Sequence, residues 1–134
     1  MATVNRREPT WVSRMALDAM QVALIREHGG SHGVRDGGLI DSALARRQHK
    51  WACEEAELPA LAAAYGFGLA KNHGYIDGNK RIAFMAMFVF LYQNGLELDA
   101  PEPEAVVVMT EVAAGDRSER ALAEWLRTRT APLR

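Results

Sequence analysis

The 134-residue sequence holds a single cysteine, Cys53, so no disulfide can form within the chain and its stability must come from a buried core. It also lacks an excess of charge of either sign. Sixteen Lys and Arg stand against seventeen Asp and Glu, a formal net charge of -1. A whole-chain field that would draw in nucleic acid or a membrane surface is excluded, and any anion site must be local. Long apolar runs are missing: the longest, Ile82 to Tyr92, falls short of the roughly 20 residues that span a bilayer. No apolar stretch follows the N-terminal Met-Ala-Thr-Val-Asn-Arg-Arg-Glu, so no secretory leader is expected and the expected location is cytoplasmic. Linkers, repeats and low-complexity segments are absent as well.

What is present is an ordinary globular balance, 49% hydrophobic and 25% charged, at a length one core can serve. The reading is one all-α domain over 1–134, its core at about 10–129, with about six helices. Pairs at Trp11/Val12, Met15/Ala16, Ala19/Met20 and Ala23/Leu24 predict a first helix to Glu27, opened by Pro9-Thr10 and closed by Gly29-Gly30. A glycine-rich loop, 31–38, leads into a short helix over Leu39 to Arg46, then a polar connection from Lys50 to Glu57. Pro59 suits the first turn of an alanine-rich helix over Ala60 to Lys71. The run from Asn79 to Asn94 is apolar nearly all round, which predicts the central and most buried helix, stopped at Asn94-Gly95. Leu96-Glu97-Leu98 reads as briefly extended and Pro101 and Pro103 as a turn. Glu104 to Ala114 and Ser118 to Arg129 read as helices, the second with Leu122, Trp125 and Leu126 on one face. The tail after Thr130 reads as frayed.

The chemistry concentrates in His73-Gly74-Tyr75-Ile76-Asp77-Gly78-Asn79-Lys80-Arg81, a loop ending where the apolar helix begins. Free backbone N–H groups at a helix start attract anions, and Gly78 lets an oxyanion approach the backbone. Lys80 and Arg81 place cations where the helix dipole disfavours them, a choice that a bound phosphate explains. Asp77 is a hard oxygen ligand suited to Mg²⁺. Asn79 can cap the helix or bond a phosphate, and His73 is a general base that titrates near neutrality. Taken singly, each has a plain structural reading: Asp-Gly-Asn is turn chemistry, and a histidine suits a helix C-terminus. Six such groups within nine residues are harder to attribute to a turn.

This segment resembles the Fic/Doc family signature His-x-Phe-x-Asp/Asn-Gly/Ala-Asn-Lys/Gly-Arg. The resemblance is to the Doc (death-on-curing) branch in particular, with Lys80 where nucleotidyl-transferring members have glycine and Phe84 where they have a second arginine. Gly33-Val34-Arg35-Asp36 with Leu39, Ala43 and Leu44 is similar to a Doc-branch pattern, and Leu91-Tyr92-Gln93-Asn94-Gly95 resembles the end of that branch's central helix. Two positions depart: Gly74 replaces a larger residue, often proline, which leaves loop rigidity open. Tyr75 replaces a buried phenylalanine and needs a partner for its hydroxyl.

The resemblance implies a protein kinase-like phosphotransferase of a toxin-antitoxin system, with ATP and Mg²⁺ as cofactors. His73 would deprotonate the target hydroxyl, Asp77 would hold Mg²⁺, and Gly78, Asn79, Lys80 and Arg81 would form the phosphate nest. The implied target is a threonine of elongation factor Tu, whose phosphorylation stops translation. AMP transfer by a protein adenylyltransferase and a silent binding module are the alternatives. No Ser or Thr is followed four positions later by Glu, so the family's inhibitory helix motif is not in this sequence and inhibition is expected in trans from a Phd-like antitoxin. Ala45 to Lys50 reads either as a target-aligning flap or as a solvated basic surface, and Arg35-Asp36 either as an internal pair or as a substrate contact.

Overall fold

A computed structural model describes residues 7–54 and 56–133; the start of the sequence read above for a leader, 1–6, lies outside them. The described residues form an all-α fold of six helices: α1 Arg14–His28, α2 Gly37–Glu54, α3 Leu58–Asn72, α4 Asn79–Gln93, α5 Glu102–Ala114 and α6 Glu119–Arg129. The one sheet among them is an antiparallel ribbon of β1 Leu96–Leu98 and β2 Thr130–Pro132.

The helix enclosed on most sides is α3, not α4. Ten of its residues are buried against six of α4. The physical reason is side-chain size: α3 is alanine-rich and has Gly66 and Gly68 where neighbours approach closest. A Cβ on Gly66 would lie 2.3 Å from Met87 Sδ, and one on Gly68 would lie 2.8 Å from Ala43 Cβ. Helix α4 buries Ile82, Ala83, Ala86, Met87, Phe90 and Leu91 and leaves Phe84 and Phe88 half-exposed and Tyr92 exposed. Its expected start and end hold.

Other boundaries shift for identifiable reasons. The first helix begins at Arg14, capped by Ser13, because the preceding chain is engaged elsewhere. Thr10 exchanges two hydrogen bonds with the Asn94 side chain, and the Val12 N–H donates to the Tyr65 hydroxyl. Its inward row is Leu17, Gln21 and Ile25, with Ala16, Met20 and Leu24 half-buried beside it. Met15, Ala19 and Ala23, expected inside, face out. Helix α2 continues through Lys50 to Glu54, read above as a connection, since Lys50 pairs with Glu119 and Trp51 meets Trp11 edge-on at 6.4 Å. Residue 55 of that stretch is outside the described part. The tail is not frayed over Thr130–Pro132. It pairs with β1 in the register Leu96↔Pro132 to Leu98↔Thr130.

The Ala45–Lys50 segment is part of α2 and only in part a solvated surface: Ala45, Arg46, Gln48 and His49 are exposed, but its three Arg and Lys side chains are engaged by the fold. Arg47 is 5% exposed, its guanidinium 4.7 Å from the Tyr65 ring centroid and 5.3 Å from that of Trp11. Burial lowers its pKa, and raises that of Tyr65 to about 12. Arg46 and Lys50 both bind Glu119, tying α2 to α6.

Candidate active site

The loop between α3 and α4 is held by backbone and side-chain bonds from two other segments. Arg35 and Asp36 N–H groups both donate to the Gly74 carbonyl, at 2.8 and 2.9 Å, and Ile76 N–H donates to the Gly33 carbonyl at 3.0 Å. The question of rigidity raised by Gly74 is answered there. A Cβ on Gly74 would lie 2.4 Å from Ile40 Cγ1, so glycine lets the loop seat against α2, and hydrogen bonds supply what proline would. Tyr75 is 1% exposed and its hydroxyl donates to Asp18 at 2.7 Å, which is the partner its burial requires. Burial, then that hydrogen bond, push the phenol's pKa up. Asp18 in turn accepts from Arg14, which also donates to Asp41 and the Gly37 carbonyl.

Gln21 is the polar member of the inward row of α1. Buried to 2% exposure, its amide donates to the Asp77 carbonyl and accepts from Gly33 N–H, each at 3.1 Å. The glycine-rich loop then closes on Asp77: Ser31 N–H donates to its Oδ2 at 2.8 Å, and at Gly30, with φ of 108°, a Cβ would stand 3.3 Å from that same oxygen. The sequence marked this loop as glycine-rich and singled out Arg35-Asp36 within it, but gave Ser31 no role. Gln21 was legible only as a polar residue four positions from Leu17 and from Ile25.

His73 caps α3 and lies in the left-handed region, φ 51° and ψ 48°, the only non-glycine among the described residues with positive φ. That conformation costs an L-residue about 1–2 kcal/mol. Arg35 reaches it, Nε donating to the His73 carbonyl at 2.7 Å and Nη2 to the Asn72 carbonyl at 3.3 Å. A hydrogen bond from a charged group contributes about 1.5–3 kcal/mol, the same order as the backbone cost. Arg35 and Asp36 are therefore not a mutual pair. The Asp36 carboxylate accepts from Gly38 and Leu39 N–H groups and caps α2 instead.

At the start of α4, Gly78 is left-handed with φ 76° and no side chain caps the helix. The first N–H groups of α4 are left as orphan donors, the arrangement that binds anions. Asn79 does not face that nest with its amide, which accepts from Tyr75 N–H and donates to the Tyr75 carbonyl, both at 3.0 Å. Lys80 and Arg81 are exposed, and neither is in an ion pair among the described residues.

His73, Asp77, Gly78, Asn79, Lys80 and Arg81 all line one cleft of about 730 Å³. Leu24, Phe84, Met85, Val106 and Met109 give it an apolar lining, joined by Glu102 and Thr110, so the site combines a donor-rich loop with a largely apolar remainder. His28, on the last turn of α1, also lines it. The family model of the Fic/DOC family matches residues 11–91, which holds the cleft's polar end and all the segments that brace it. The chain belongs to the Fic/Doc family. Two relatives lie in its Doc branch. The chain is 33% identical over 118 residues to the "Protein kinase doc" of Escherichia phage P1, covering 87% of this chain and 92% of that one. It is 44% identical over 93 residues to the "Toxin Doc" of Mycolicibacterium smegmatis, covering 66% and 71%.

Proposed function

We propose that this Fic/Doc chain is a Doc-like toxin that transfers the γ-phosphate of Mg-ATP to a hydroxyl on a target protein. The observation that carries the reading is the cleft: an exposed imidazole, an exposed carboxylate and two cations without an ion pair among the described residues meet the start of α4, which no side chain among those residues caps. Phosphoryl transfer asks mainly for positioning and charge stabilisation, and these groups supply both without further folds. The α4 N–H groups, Lys80 and Arg81 would hold the γ-phosphate oxygens. His73 takes the proton from the target hydroxyl, whose oxygen forms the new bond to phosphorus while the bond to the β–γ bridging oxygen breaks and ADP leaves.

The residues fit Mg²⁺ in one respect that matters. Asp77 Oδ2 is held by Ser31 N–H, which aims the carboxylate and leaves Oδ1 for a cation. Among the described residues no group of three or more His, Cys, Asp or Glu could hold a metal, so an ion at Asp77 would draw its other ligands from phosphate and water, the habit of Mg²⁺. Bound there, Mg²⁺ would neutralise phosphate charge. Phe84 supports phosphate over AMP transfer, because it adds an apolar wall where a second arginine would grip another phosphate. The relatives' names, a toxin and a protein kinase, support a Doc-like toxin with an antitoxin partner. The reading extends this to a Phd-like antitoxin and to arrest of translation through elongation factor Tu, as the family resemblance implies.

The test is intact mass of elongation factor Tu after incubation with Mg-ATP and this chain, since phosphate and AMP add different masses. His73→Ala should lower transfer by about 10²-fold or more while Mg-ATP still binds. Asp77→Ala should weaken Mg-ATP binding itself. Full transfer by His73→Ala would overturn the reading, and an AMP adduct would replace it with the adenylyltransferase alternative.

A further inference from the structure

We infer that Arg35 is a positioning residue for His73, holding the imidazole over the cleft by fixing the left-handed peptide it hangs from. The inference deepens the proposed function, resting on His73 as the base. Where the imidazole points depends on φ and ψ at His73, because those angles set the Cα–Cβ direction relative to the helix behind it and the loop ahead. That backbone is in a region L-residues avoid, so something must hold it there. The cross-loop hydrogen bonds outside Arg35 engage the neighbours: Asn72 donates to Leu39, Gly74 accepts from the 33–36 segment, Tyr75 exchanges two bonds with Asn79, and Asp77 is held by Gln21 and Ser31. The His73 carbonyl itself receives the Arg35 Nε.

The placement of that arginine follows from the backbone. Val34 and Tyr75 form an isolated antiparallel bridge, and the Gly33–Asp36 segment runs alongside Gly74–Ile76. Arg35 is thus set beside the C-terminal end of α3, where its charge also complements the helix dipole and a second nitrogen reaches the Asn72 carbonyl. It forms no ion pair with a carboxylate among the described residues, since Asp36 is turned to α2. An exposed arginine engaged with two main-chain carbonyls at one loop is oriented for that loop rather than for surface charge.

The experiment compares the full chain with Arg35→Ala, Arg35→Gln and Arg35→Lys, reading kcat and KM for Mg-ATP with elongation factor Tu as acceptor. Backbone carbon shifts of His73 are read in histidine-labelled protein, assigned against His73→Ala among the four histidines. In Arg35→Ala, kcat should fall about tenfold with KM for Mg-ATP unchanged, and the His73 shifts should leave the left-handed range. Arg35→Lys, which keeps one charged donor, should recover part of both, as should guanidinium ion added to Arg35→Ala. Wild-type His73 shifts in Arg35→Ala would overturn the inference, and so would a raised KM for the acceptor with those shifts unmoved, the mark of a substrate contact. Thermal unfolding checks each variant, and Arg35→Gln decides if the alanine variant fails to fold. The shift measurement needs no acceptor, so it stands even where His73→Ala retains transfer and the base assignment fails.

Discussion

Two basic clusters in this chain look alike on paper and do opposite things. Arg46, Arg47 and Lys50 on α2 are absorbed by the fold, two on Glu119 and one between the rings of Trp11 and Tyr65. Lys80 and Arg81 at the start of α4 are exposed in a cleft, at the end of a helix that repels cations, with no carboxylate partner among the described residues. The difference teaches that a cation's role is read from what neutralises it. Where the protein supplies the counter-charge or a ring face, the residue is structural. Where it supplies only more positive potential, as at Lys80 and Arg81, the counter-charge under the proposed function is a bound phosphate.

The comparison breaks most easily at its functional end. Replacing both Lys80 and Arg81 with alanine should weaken Mg-ATP binding by about 10–100-fold, two charge-assisted phosphate contacts at about 1 kcal/mol or more each, and leave the unfolding temperature unchanged. Arg46→Ala should leave Mg-ATP binding untouched; isothermal titration of both variants tests the contrast, and weakened binding in Arg46→Ala would erase it. At the structural end, Arg47→Ala should cost about 2 kcal/mol or more in denaturant unfolding through lost packing and cation–π contact. Arg47→Met should recover most of that loss, because the buried Nε has no hydrogen-bond partner and methionine removes the need for one.

The smallest effect concerns Glu119. Burial opposes its charge, but hydrogen bonds from Lys50 and Arg46 outweigh burial and hold its pKa below the ordinary value. A carboxylate depressed in the folded state contributes stability that is present above its unfolded pKa, about 4.3, and is lost as pH falls through the lower folded value. Acid unfolding of Glu119→Gln should therefore be less steep than wild type below about pH 4.3, with both curves otherwise parallel. Equal steepness in that window would show that the α2–α6 bridge contributes nothing.

Much of this molecule is legible from local chemistry. The start of α4 after Asp77-Gly78, the stop at Asn94-Gly95 and the inward Leu122, Trp125 and Leu126 follow from turn residues and a period of 3.6, and all are where those signals put them. The six candidate site residues also reach one cleft, since they are close in sequence and a loop entering a helix cannot disperse them. Which helix is enclosed was not legible: apolarity is high in both α3 and α4, and only packing shows that small residues admit neighbours on more sides than phenylalanines do.

The sequence by itself therefore determined the helical class, most of the helix ends and the nine-residue segment that forms the candidate site, because capping, periodicity and turn preferences act over a few residues. Tertiary structure alone decided what surrounds that segment. Gln21 lies 56 positions from Asp77, Asp18 57 from Tyr75, and Arg35 38 from His73. No local preference encodes such pairs; they exist because α1 and the 33–36 segment pack where their side chains can satisfy the carbonyls and hydroxyl that the loop leaves open.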